Sequence, residues 1–318
     1  MLLNIGLAII GFILLIKCAD IFVEGSASLA RNFKVSTTII GLTVVSFGTS
    51  APELAISFNS HLSGNSDMLF GNVVGSSIGN ILVILGLAIL IKPFKIQPDV
   101  IRKQIPILVL VTLGLSVLLL DTFFNNSLYN SLSRADGVIL LLFFSIFIYY
   151  LMTIIKADKE NNITIDPPKY KLPRSTLMIL LGLGGILIGS NLIVDNVESF
   201  ATTIGISQKI ISITVISIGT SLPELVTTII AAKKGENNMA IGNIVGSNIF
   251  NICVVLGLPV LILGEAVTTT FNIVDVIFMM LAAVLLWLFS ATAREIKRKE
   301  AVIFLMVYAV YVGYILIQ

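Results

Sequence analysis

Apolar runs of about 20 residues, the length a helix needs to span the hydrocarbon core, recur from one end of the chain to the other. They fall at approximately 3–25, 36–60, 68–91, 104–120, 135–155, 175–197, 208–231, 239–263, 271–291 and 300–317. The pattern predicts an all-α integral membrane protein with ten transmembrane helices joined by short polar connections. The first run has no basic start and no small-residue cleavage site, so it is expected to remain as a helix. Composition agrees: of 318 residues 56% are hydrophobic and 12% charged, with a mean hydropathy of +1.02. A soluble domain carries roughly a quarter charged residues.

The second run is unusual in holding a proline and a glutamate, in "VVSFGTSAPEL" at 44–54. It also recurs. "LTVVSFGTSAPEL" at 42–54 matches "ITVISIGTSLPEL" at 213–225 with nine of thirteen positions identical. "GNVVGSSIGNILVILGL" at 71–87 matches "GNIVGSNIFNICVVLGL" at 242–258 with twelve of seventeen. Both pairs share an offset of 171 residues. The chain is therefore read as a duplication: a first five-helix repeat over 1–155 with its motif in 42–87, a linker at 156–174, and a second repeat over 175–318 with its motif in 213–258. An odd number of spans separates the copies, so the second crosses the membrane in the opposite direction. Inverted repeats of this kind mark secondary transporters, which bind substrate near the midplane between the repeats.

Charge distribution supplies orientation. The connections after spans 1, 3, 5, 7 and 9 hold 17 of the 20 basic residues. The positive-inside rule then puts both termini outside a cell membrane and the loop 156–174 in the cytoplasm. The basic loops read as topology signals and membrane-lipid contacts, not nucleic-acid sites, and no protein partner is indicated. Cys18 and Cys253 fall inside spans and read as small apolar residues. The lone His61, expected at the water interface, gives no metal-ligand set. Asp20, Glu24, Asp195 and Glu198, near the ends of spans 1 and 6, read as interfacial charge. Gly182, Gly184, Gly185 and Gly189 suggest a smooth face for close packing.

The repeated motifs carry the chemistry. Ser46, Thr49 and Glu53 share one helix face, with Ser50 flanking it; Ser217, Thr220, Glu224 and Ser221 repeat the arrangement. Pro52 and Pro223 lack an N–H and are expected to open the helix, freeing carbonyls around Ser46 to Thr49 and their counterparts. Ser76 with Asn80, and Ser247 with Asn251, stand four apart on one face each. Together these are hard oxygen donors, the set that calcium takes six to eight at a time, whereas no thiolate or imidazole cluster suggests zinc or copper. A mid-membrane carboxylate costs about 2.5–3.5 kcal/mol even on the lenient insertion scale, so Glu53 and Glu224 are expected to face an ion path. Two unpaired carboxylates would repel unless cations or protons intervene.

With these residues assembled, the chain resembles the cation/calcium antiporter superfamily, and within it the microbial ten-helix sodium/calcium exchangers. "GTSAPEL" with "GNVVGSSIGNILVILG", and "GTSLPEL" with "GNIVGSNIFNICVVLG", carry the resemblance. It implies Glu53 and Glu224 as central ligands shared by Ca2+ and Na+, with Thr49, Thr220, Ser50 and Ser221 completing the cage. Ser76 and Ser247 would flank it, Asn80 and Asn251 would close it, and the carbonyls of Ser46 and Ser217 would serve sodium. Spans 1 and 6 would slide across the other eight. No resident cofactor is implied, the ions being cargo. Some microbial relatives carry Asp at the position of Asn251, so this chain lacks a protonatable third acid. The resemblance suggests three Na+ per Ca2+ in a non-enzymatic, electrogenic exchange. Proton/calcium exchange, with H+ as the partner ion, is the alternative; a passive cation channel is disfavoured by the inverted repeats, and an intramembrane hydrolase by the lack of a catalytic set.

Overall fold

The computed structural model describes the chain except residues 1, 125–126, 161–166, 205–216, 269–272, 294 and 318. Helices dominate it in the order α1 (Leu2–Phe33), α2 (Thr37–Thr49), α3 (Ala51–Leu62), α4 (Ser66–Ile91), α5 (Val100–Leu118), α6 (Arg134–Glu160), α7 (Leu172–Thr203), α8 (Ser217–Thr220), α9 (Leu222–Lys234), α10 (Asn237–Leu263), α11 (Ile273–Ala293) and α12 (Arg298–Ile317). Among the described residues seven helices are long and apolar enough to cross a bilayer, or eight with α2 and α3 taken as one span bent by 44°. The two other expected spans fall on α12 and on α8–α9, whose upstream residues lie outside the described ones.

The duplication is visible in where the helices break. The first α-helical stretch of α4, Ser66–Gly79, has its counterpart in Asn237–Phe250 of α10, at the offset of the sequence repeat. Each passes into a π-helical turn, Asn80–Leu85 and Asn251–Leu256, that begins on the repeated asparagine. Single π turns inside α-helices are uncommon and concentrate at functional sites. Two small antiparallel ribbons obey the same symmetry. Strand β1 (Phe94–Lys95) pairs with β4 (Glu295–Ile296), and β2 (Asn130–Leu132) with β3 (Ala266–Thr268). Each ribbon thus joins one repeat to the other, and exchanging the repeats exchanges the ribbons.

Burial separates an inner from an outer layer. Met239 to Ile249 of α10 are all buried, and α4 packs beside that stretch. The outer helices turn leucine, isoleucine and phenylalanine outward, for instance Phe12, Leu142, Leu180 and Leu288, as lipid-facing surfaces do. Helix α1 lies along α7, and glycines set their spacing. A Cβ on Gly189 would stand 2.8 Å from the carbonyl oxygen of Gly11, and one on Gly182 would stand 2.8 Å from the backbone of Phe22.

Both helices of this pair outrun their expected spans of 3–25 and 175–197. In α1 the charged residues near the end of the expected span pair with other segments of the chain. Asp20 bonds Lys234 at 2.9 Å, Glu24 pairs with Lys169, and Arg31 bonds Glu236 at 2.9 Å. Ser26, Ala27, Ser28 and Ala30 are small enough to be buried against neighbours, so the helix continues to Phe33.

Candidate functional site

Both GTSxPEL segments break at the serine before the x-Pro pair. Ser50 (φ −86°, ψ 7°) ends α2 and Ser221 (φ −90°, ψ 1°) ends α8. Pro52 and Pro223 then sit in the first turn of α3 and α9, where a missing N–H costs nothing because the first amides of a helix have no partner. The expectation that proline opens the ladder is met, but the opening differs in detail. The carbonyl of Ser46 is engaged, not freed: it accepts the Ser50 N–H at 3.0 Å and the Thr49 hydroxyl at 3.3 Å, with the Ser247 hydroxyl at 3.5 Å. The Ser50 amide reaches it through the ordinary bond four residues back that closes the last turn of α2.

Glu53 and Glu224 occupy the first turns of the helices that follow, where a negative side chain meets the positive end of the helix dipole. They are 1% and 0% exposed. Ser50 donates its hydroxyl to Oε1 of Glu224 at 2.9 Å, crossing from one repeat to the other. The Oε2 atoms of both glutamates are buried without a hydrogen bond, and so are Oδ1 of Asn80 and both amide atoms of Asn251. Thr49, Ser76 and Ser247 are also buried. Helix α9 packs on the π turn that starts at Asn80, and α3 on the one that starts at Asn251, so each glutamate's helix meets the other repeat's asparagine turn.

The second half is less tightly closed around its serine and threonine. Thr220 is half-buried at the end of α8. Ser221 is half-buried and lines a small cavity with Gly75, Gly79 and Tyr308. The side chain of Ser217 lies outside the described residues.

The sequence reading missed the amides that brace this arrangement. Asn72 donates to the carbonyl of Glu53 at 3.1 Å and to the Ser57 hydroxyl at 3.0 Å, and Asn243 donates to the hydroxyl of Thr228 at 2.9 Å. Thr49 donates to Oδ1 of Asn243 at 3.4 Å. The signal was available: Asn72 and Asn243 are the Asn of the repeated Gly-Asn pair, and Ser57 and Thr228 share the same offset. Among the described residues no group of three or more His, Cys, Asp or Glu could hold a metal ion.

Broken helices in inverted repeats, closing on two buried carboxylates, define a membrane transporter of the cation-exchanging kind. The chain belongs to the family described as "Sodium/calcium exchanger protein", which it matches over residues 3–153 and 174–317. It is 37% identical to the putative antiporter CaxA of Alkalimonas amylolytica, over 96% of this chain and 95% of that protein. It is 30% identical to the sodium/calcium exchanger MaX1 of Methanosarcina acetivorans, over 97% of each. Its fold is similar to that of the sodium-calcium exchanger NCX_Mj soaked with 2.5 mM Na+ and 0.1 mM Ca2+, with a TM-score of 0.84 and 32% identity over 98% of both chains.

Proposed function

We propose that this protein is a secondary active antiporter that exchanges Ca2+ for Na+ across the cell membrane, by alternating access at a mid-membrane site built on Glu53 and Glu224. The observation that carries the reading is the pair of repeat-related glutamates, each buried with one carboxylate oxygen free of hydrogen bonds, beside two asparagines with equally unbonded oxygens. Two uncompensated buried carboxylates are costly and repel each other, and a shared divalent cation offsets both effects. Thr49, Thr220, Ser50, Ser221, Ser76, Ser247 and the carbonyls of Ser46 and Ser217 are the remaining proposed ligands, with Asn80 and Asn251.

Competition for one pair of carboxylates gives exchange its logic, since Ca2+ and Na+ cannot both neutralise them at once. Sodium entering from one side displaces calcium, and the emptied site does not return unloaded because its charge would cross bare. Moving one charge through the membrane is worth about 2.3 kcal/mol per 100 mV, so exporting Ca2+ costs about 4.6 and three entering Na+ return about 6.9. At three to one the potential drives export. The same relation sets the sign of the current, inward with calcium efflux.

Reconstituted vesicles test the reading. Calcium uptake is measured under an imposed outward Na+ gradient, and separately under an imposed pH gradient. Uptake driven by sodium and lost in Glu53→Gln and Glu224→Gln is expected. Uptake driven only by the pH gradient would assign proton/calcium exchange, and near-normal flux in either variant would remove the site assignment.

A further inference from the structure

The amide of Asn80 is held in one orientation through Asn248, by a chain of two hydrogen bonds whose polarity has a single solution. They start at the main-chain carbonyl of Ser77, which can only accept. Asn248 donates to it through Nδ2 at 3.4 Å. The Oδ1 of Asn248 is therefore turned the other way, and Asn80 donates its own Nδ2 to that oxygen at 3.1 Å. The Oδ1 of Asn80 is what remains, and it is the atom buried without a hydrogen bond. Asn248 and Asn80 are 0% and 1% exposed, so no solvent competes for these donors.

The other repeat has no such relay. The counterpart of Asn248, 171 residues earlier, is Ser77, and its hydroxyl donates to the carbonyl of Val73 at 2.7 Å. Asn251, the counterpart of Asn80, is left with both Nδ2 and Oδ1 buried and unbonded. One amide is fixed and its symmetry mate is free to turn.

We propose that Asn248 is a positioning residue of the cation site, which holds Asn80 with its oxygen presented to the cation and its N–H2 turned away. The inference rests on the reading of Glu53 and Glu224 as cation ligands. An unheld amide is as ready to present its N–H2, which a cation repels and a carboxylate attracts. Asn80 is denied that choice and stays an oxygen ligand in every state of the site. Asn251 keeps it: its oxygen serves a cation when one is bound, and its N–H2 can donate to a free carboxylate oxygen when the cation leaves. The two repeats thus contribute the same side chain in two roles.

Equilibrium 45Ca2+ binding to the purified full-length protein in Na+-free detergent buffer tests this, with melting temperature recorded for every variant. Asn248→Leu approximates the shape of asparagine and removes both bonds. It is expected to weaken Ca2+ binding about tenfold, the loss of about 1.4 kcal/mol of ligand energy. In an Asn80→Ala background the same substitution is expected to change affinity less than about twofold, there being no amide left to orient. An undiminished effect in that background would overturn the proposal, as would Asn248→Leu binding like the wild type. If Asn248→Leu does not fold, Asn248→Ser, too short to span both partners, enters the same cycle. Glu53→Gln is the separate arm: wild-type binding that it leaves intact removes the site itself and the relay with it.

Discussion

Ser50 of the first repeat donates its hydroxyl to Glu224 of the second at 2.9 Å. The second repeat's glutamate is therefore supported from the first repeat, whereas the brace on Glu53, from Asn72, comes from its own repeat. A hydrogen bond to a charged group contributes about 1.5–3 kcal/mol when its loss leaves the charge buried. Ser50→Ala is expected to change the apparent affinity for Ca2+ by about tenfold or more, with little change in protein yield. Ser221→Ala, at the half-buried position beside the small cavity, is expected to have a smaller effect. Concentration-dependent calcium uptake in vesicles measures both, and equal effects would contradict the asymmetry.

The contact between α1 and α7 yields a second expectation. A Cβ on Gly189 meets backbone atoms of Gly11 and Leu15 at 2.8–2.9 Å, and backbone cannot turn aside as a side chain can. Gly189→Val is expected to destabilise by about 1–3 kcal/mol through overpacking and to slow exchange. Gly184, only two residues beyond Gly182, has no described atom within 4 Å of an added Cβ. Gly184→Ala should therefore transport and melt like the wild type. Melting curves and sodium-driven uptake on the two variants decide it.

Much of this was legible in the sequence because it rests on one-dimensional signals. The length of apolar runs gave the helices, and the offset between the two motifs gave the repeat and so the pairing of Glu53 with Glu224. The breaks at Ser50 and Ser221 followed from proline, although the Ser247 hydroxyl that reaches the Ser46 carbonyl from the other repeat did not. What stayed hidden depends on contacts between distant segments. That Asp20 pairs with Lys234 and Glu24 with Lys169 is one such contact. Asn248 stands at a non-identical position of the repeat, its counterpart being Ser77, and its bonds to Ser77 and Asn80 are visible only in the fold.

Orientation in the membrane is open to direct chemistry. The basic residues concentrate on the side of the 156–174 loop, which should face the cytoplasm. Lys156, exposed near the end of α6, and Tyr129, 55% exposed in the connection between α5 and α6, lie on opposite sides in that reading. With Cys18 and Cys253 replaced by serine, a membrane-impermeant maleimide is expected to label Tyr129→Cys in intact cells. Lys156→Cys should react only after the membrane is opened. The reverse pattern would invert the topology and with it the direction assigned to each ion.

Asn251 is where the chemistry of this site can be altered with least change in shape. It is fully buried, and neither amide atom is hydrogen-bonded. Asn251→Asp adds a third carboxylate to a site with two, at nearly constant volume. More negative charge strengthens attraction for a divalent ion more than for a monovalent one, because the interaction scales with the product of the charges. The variant is expected to bind Ca2+ more tightly and to require more Na+ to release it, so that sodium-driven turnover falls. It also introduces a group that must lose a proton to act as a ligand, so protons should compete with calcium where they competed less before. Uptake measured from pH 6 to pH 8 is expected to rise more steeply with pH in Asn251→Asp than in the wild type. Parallel pH profiles would mean that residue 251 stands too far from the cation to contribute charge, and would leave Asn80 as the one asparagine ligand.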